Sequence, residues 1–134
     1  MAANFPLSAF KRVPFLTEIA ILGPDYTGAD FAMHVRNFEG DTGSPLISLA
    51  DATAGTQGVS VTYDAAFIYD DAGSEALASI IAIQIDEATL EAIALNNPTN
   101  KVLTLYYDLH VTPTGEAKRV ELYGTFSIYP GVTI

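Results

Sequence analysis

Cysteine is absent from all 134 residues. Without thiols there can be no disulfide framework, no thiolate nucleophile and no cysteine-ligated zinc, and the redox compartment stays open. Cationic residues are scarce, with 6 Lys and Arg against 16 Asp and Glu and a net charge of -10. Affinity for a phosphate backbone comes mainly from Lys and Arg releasing counterions, so nucleic acid is not an expected partner. The same excess of negative charge repels anionic membranes. Long apolar runs are missing too: Thr17, Glu18, Gln84 and Asp86 break the richest stretches well short of the roughly 18 successive residues a membrane-spanning helix needs. Met1 to Pro14 carries Lys11 and Arg12 but no basic start leading into an apolar run and a cleavage site, so no secretion signal is expected. The chain has no G-x-S-x-G, no Walker-type loop and no dinucleotide fingerprint. Neither an enzyme nor a cofactor is expected.

What is present is enough apolar material for one core. Hydrophobic residues make up 49% and charged residues 16%, a balance that excludes a disordered polyelectrolyte. A chain of this length forms a single domain that buries roughly two-thirds of its unfolded surface. The small polar share suggests that some apolar surface is reserved for neighbouring subunits.

Apolar and polar residues alternate repeatedly, the signature of a strand with one buried face. In Asp30 to Arg36, Phe31, Met33 and Val35 share one side. In Val102 to Thr112, Leu103, Leu105, Tyr107, Leu109 and Val111 do the same. Pro113-Thr114-Gly115-Glu116 then supplies a turn. The return arm, Lys118 to Tyr129, is expected to face Val120, Leu122, Phe126 and Ile128 inward and Arg119, Glu121, Tyr123, Thr125 and Ser127 outward. Further strands are expected at Phe15 to Leu22, Pro45 to Ala50, Val59 to Tyr63 and Ser79 to Ile85, the last with apolar residues on both faces. Turn-prone segments separate them, among them Glu39-Gly40-Asp41 and Asp70-Asp71-Ala72-Gly73-Ser74. One helix is expected near 86–95, capped by the Asp86 carboxylate, with Leu90, Ile93 and Ala94 as its apolar stripe and Asn96-Asn97-Pro98 as its stop. So short a helix must lie against the sheet, as a lid over one end of the core.

These elements point to an all-β chain: an antiparallel β-sandwich, immunoglobulin-like or jelly-roll-like, in residues 15–134, preceded by an extended amino-terminal arm in residues 1–14. That arm reads either as a loose terminus or as an anchor inserted into a neighbour through Phe5, Leu7, Phe10 and Val13.

Chemistry-bearing residues are few. His34 and His110 lie on the polar faces of their strands, close in sequence to Asp30 and Asp108, a pairing that suits a general base or metal ligand but more often a solvent-facing residue. Two histidines without a close third ligand make a poor zinc site. Asp70-Asp71 and Glu39-Gly40-Asp41 offer oxygens to calcium without matching a twelve-residue calcium loop, and solvated turns explain them better. Tyr106, Tyr123 and Tyr129 fall on the polar faces of the final hairpin. They read equally as interface residues or as cross-strand packing.

Tyr106-Tyr107-Asp108-Leu109-His110-Val111, then Gly115, Leu122-Tyr123-Gly124-Thr125-Phe126-Ser127-Ile128 and Pro130-Gly131-Val132-Thr133 give the chain a resemblance. With Gly40-Asp41-Thr42 placed soon after the first clear strand, it resembles the amino-terminal domain of siphophage baseplate upper proteins and related tail-fibre proteins. Those proteins usually continue into a stalk or receptor-binding region, whereas this sequence ends one residue after Thr133 and begins with an additional segment. The resemblance implies a β-sandwich that attaches to a virion and assembles in copies, often threefold, with other virion proteins as partners. The expected function is therefore a non-enzymatic adaptor or connector of the tail, baseplate or fibre-attachment apparatus. Two alternatives stand beside it: a capsid decoration protein that stabilises the shell, and a carbohydrate-binding module that stacks host glycans on Tyr63, Tyr69 or Tyr106. A hydrolase would rest on the two His–Asp neighbours alone.

Overall fold

Period-two patterning dictates the architecture of the computed structural model, which describes residues 2–93 and 102–130. In chain order the described elements are β1 (Ala3–Asn4), β2 (Leu7–Phe10), β3 (Phe15–Leu22), β4 (Asp30–Arg36), β5 (Ile47–Ala50), β6 (Gly58–Ile68), β7 (Glu75–Ile85), α1 (Glu87–Glu91), β8 (Leu103–Thr112) and β9 (Arg119–Tyr129). They form two sheets, one ordered β1-β9-β8-β4-β5 with β2 also beside β9, the other β3-β7-β6. Packed face to face, the sheets make a β-sandwich. Phe31, Met33 and Val35 of β4 and Leu105, Tyr107, Leu109 and Val111 of β8 meet Phe15, Ile19, Ile81, Ile83 and Ile85 from the smaller sheet. The Phe126 ring, fully buried, meets Phe15 edge-on with centroids 5.4 Å apart, joining the two sheets.

The amino-terminal segment is extended, but it does not lie outside the domain. β1 and β2 run parallel to β9, with Leu7 opposite Phe126 and Ala9 opposite Ile128. Leu7, expected as an anchor into a neighbour, is instead buried in this chain's own core together with Ala9. The physical reason is twofold: β9 would otherwise leave a row of backbone groups unpaired, and the alternation Leu7, Ala9 turns two apolar side chains inward. This edge also makes the sandwich mixed, where only antiparallel pairing was expected; the other strand ladders are antiparallel.

β9 departs from its expected faces near its start. Leu109 pairs with Leu122, but His110 pairs with Val120 and Val111 with Arg119, so Glu121 is an extra residue in a β-bulge. The bulge reverses the alternation before it. Val120, expected inside, shares the outer face with His110, while Glu121, expected outside, is buried.

The middle strands are longer than expected. β6 and β7 continue past Tyr63 and before Ser79 into a hairpin closed by Asp70, whose Oδ1 accepts the amides of Ala72 at 3.0 Å and Ser74 at 2.9 Å. β5 is shorter, beginning at Ile47. Along β7 the buried face is formed by Ile81, Ile83 and Ile85, while Ile80, Ala82 and Gln84 are half-covered.

The helix is present but brief, and the Asp86 carboxylate makes no capping bond to it. Instead Gln57 Oε1 accepts both the Asp86 amide and the Thr89 hydroxyl at 2.8 Å, while Asp86 Oδ1 accepts Gln84 Nε2 at 3.1 Å. A side chain distant in sequence thus fastens the start of the helix without capping its first-turn amides. Leu90 and Ile93 enter the common core, consistent with a lid. Ala94, Leu95 and the Asn96-Asn97-Pro98 stop lie outside the described residues, as do Gly131, Val132 and Thr133.

Candidate functional site

The outer face of the larger sheet gathers most of the polar and aromatic residues that the sequence marks. Strand geometry sends Ala32, His34 and Arg36 of β4 outward, together with Tyr106, Asp108 and His110 of β8 and Tyr123 and Thr125 of β9. Register then sets them in rows: His34 opposite Asp108 opposite Tyr123, and Arg36 opposite Tyr106 opposite Thr125. Of these, His34, Arg36, Tyr106, Asp108 and Tyr123 line an open cleft of about 370 Å³ together with Phe38 and Glu39 from the β4–β5 loop.

The two histidines differ in their partners. His110 Nε2 lies 3.2 Å from Asp108 Oδ2, realising the pair suggested by their spacing. Both groups are partly exposed, so the contact is a weak surface ion pair when the ring is protonated. His34 does not meet Asp30. Its Nδ1 lies 3.3 Å from the Arg36 guanidinium, whose other nitrogen donates to the Gly43 carbonyl. Asp30 bears on Asp51 instead. Burial raises the Asp51 carboxyl above the usual carboxylate range and the Asp30 carboxyl adds to the rise, while the Phe31 amide, donating at 2.7 Å, opposes it.

The acidic segments considered for calcium close turns. Asp41 Oδ1 accepts the Gly43 amide at 2.9 Å, and Asp70 closes the β6–β7 hairpin, which holds its carboxyl below the usual range. Among the described residues no three His, Cys, Asp or Glu side chains converge to hold a metal ion. Nor do the tyrosines considered for sugar stacking form one platform. Tyr106 lies in the cleft, Tyr63 on the smaller sheet and Tyr69 at the hairpin tip.

Tyr106 and Tyr123 share the cleft, whereas Tyr129 sits farther along β9 and stacks on Phe10 with centroids 5.1 Å apart and 27° between the planes. Val13 is exposed in the turn joining the sheets. The Phe5 side chain is exposed too, but its backbone is fixed, the amide donating to the Tyr123 carbonyl at 2.8 Å.

One cluster has no counterpart in the sequence reading. Glu121, turned inward by the bulge, accepts the hydroxyl of buried Tyr26 at 2.8 Å, and Arg119 donates to that hydroxyl at 3.0 Å. Arg119 also lies over the Tyr26 ring, 5.7 Å from its centroid, and reaches Glu116 at 3.1 Å. Burial, above all, pushes the Tyr26 hydroxyl above its ordinary value. The Tyr26 amide donates to Ser79 Oγ at 2.8 Å, and that hydroxyl donates to the Pro24 carbonyl at 2.7 Å. These bonds fasten the crossover from β3 to β4, and no buried side-chain nitrogen or oxygen is left unpaired among the described residues. The only advance signal was Gly124 within a strand, a common mark of an irregular ladder.

The outer-face cleft offers aromatic rings, the His34 imidazole, a guanidinium and carboxylates on one sheet, an arrangement suited to recognition. No family model matches the chain, and no match emerged among curated proteins.

Proposed function

We propose that this chain is a non-enzymatic structural protein of a bacteriophage virion, an adaptor or connector of the tail, baseplate or fibre-attachment apparatus that acts through packed protein interfaces. The observation that carries this reading is where the phage-like motifs fall. Tyr106 to Val111 and Leu122 to Ile128 are the paired strands at the heart of the larger sheet, and their outward residues Tyr106, Asp108 and Tyr123 form the cleft. Tyrosine and arginine are enriched at protein interfaces because they combine large contact area with polar tips, and both occur here. Other virion proteins are the expected partners.

Labelled antibody against the chain, imaged on purified particles, tests the assignment. Signal at the tail or baseplate supports it. Signal over the shell favours a decoration protein, and particles free of the chain would reject a virion role altogether.

A glycan-binding reading has one observation in its favour: Tyr106, Tyr123 and Phe38 place ring faces beside His34 and Asp108 in one cleft. Glycan-array binding that disappears in Tyr106→Ala would favour it.

A further inference from the structure

We propose that the β6–β7 hairpin of one copy docks into the groove beside Val13 of another, so that the protein assembles head to tail through two unlike surfaces. The contact is independent of which virion component the cleft faces.

The hairpin supplies one surface. β3 pairs with β7 only as far as Leu22 opposite Ala78, while β6 and β7 continue as a two-stranded ribbon through Ile68 and Glu75. Such a ribbon is marginal in water unless something covers it. Yet it exposes Ile68 at 59%, Tyr69 at 50% and Leu77 at 45%. Residues 64–77 carry Asp64, Asp70, Asp71 and Glu75 and no Lys or Arg.

The second surface lies at the opposite end of the smaller sheet, where Phe15 pairs with Ile85. There Phe5, Phe10, Val13, Pro14 and Leu16 line an open groove of about 450 Å³. Phe10, Val13 and Leu16 are each at least half exposed. In the turn between Phe10 and Val13 stand Lys11 and Arg12, two of the chain's six cationic residues, in a stretch of sequence without an acid until Glu18.

Both surfaces expose apolar side chains and their charges are opposite, which in a chain of net charge -10 makes the groove the fitting seat for the hairpin of a second copy. The proposed contact joins each copy to a different neighbour at either end. Repeated, it closes a ring or extends a filament.

Sedimentation of the full chain across a concentration series tests this. The wild-type protein is expected to form species larger than a monomer that weaken as salt rises. Lys11→Glu and Glu75→Lys each leave the strand-rich circular dichroism unchanged but weaken association by about tenfold or more, since each sets like charges together. Mixing the two variants restores it, because every contact regains an opposite pair. A wild-type chain monomeric at all concentrations, or association indifferent to both substitutions, overturns the proposal. These outcomes do not depend on where the chain sits on a particle.

Discussion

The Tyr107 hydroxyl donates to the Phe5 carbonyl, tying the amino-terminal edge to a strand from which β9 separates it. The bond crosses Gly124, the residue opposite Tyr107 on β9, where the absence of a side chain leaves room for the ring. A Cβ on Gly124 would come within 3.2 Å of the same Phe5 carbonyl. One glycine thus admits both the tyrosine and the passing backbone.

Tyr107→Phe removes the donor and leaves the carbonyl to water or unpaired. The expected loss is about 1–2 kcal/mol. Hydrogen exchange should locate it, with amides of Phe5 and β2 exchanging faster while those of β4 keep their protection.

Two glycines with left-handed backbones give a sharper contrast. At Gly58, φ is 138° and a Cβ would lie 2.5 Å from the Ala52 Cβ and 2.6 Å from the Ala50 carbonyl, whereas at Gly55, φ is 91° with open space around it. Gly58→Ala therefore adds a collision with backbone to conformational strain and costs about 3 kcal/mol or more. Gly55→Ala bears the conformational cost alone, about 1–2 kcal/mol. Urea midpoints of the two variants should separate clearly, and equal midpoints would contradict the close approach of β5 and β6.

The inter-sheet pair Phe15–Phe126 sets the scale for the core. Phe126→Ala empties a fully buried site and is expected to cost about 3–5 kcal/mol, whereas Leu16→Ala, at an exposed neighbouring position, stays within about 0.5 kcal/mol. Thermal unfolding of both distinguishes the packed side of β3 from its open one.

Much of this fold is legible in the sequence, and its gaps have physical causes. β4 and β8 were readable because each buries one side throughout, so Met33, Val35, Leu105 and Leu109 follow period two without interruption. β9 follows it only after the bulge. The extra residue Glu121 reverses the phase at Val120, and Gly124 marks an irregular ladder without saying where the phase shifts. The β6–β7 ribbon was read short because Ala65, Ala66 and Ile68 are exposed and carry no inward alternation. The pairing of Leu7 with Phe126 is likewise invisible locally, since it joins opposite ends of the chain. The cleft was half legible: the outward direction of His34, Asp108 and Tyr123 is local, but their alignment depends on the register of three strands.

Alkaline pH should expose the two buried phenols. Burial is the leading cause that raises both Tyr26 and Tyr107 above the ordinary value of 10.0, Tyr107 far above it. In the unfolded chain they ionise near that ordinary value, while the folded protein retains their protons to higher pH. A raised folded value means that their stabilising contribution is complete below about pH 10 and declines as pH climbs toward the folded values. In that interval the unfolded state binds fewer protons, and each tyrosine lowers stability by about 1.4 kcal/mol per pH unit. Urea unfolding followed upward from about pH 8 should therefore show a plateau and then a steep fall beyond the ordinary phenol range. Tyr26→Phe and Tyr107→Phe should each make that fall shallower whatever they do to the plateau. A slope insensitive to both buried substitutions would show that neither phenol is held protonated by the fold.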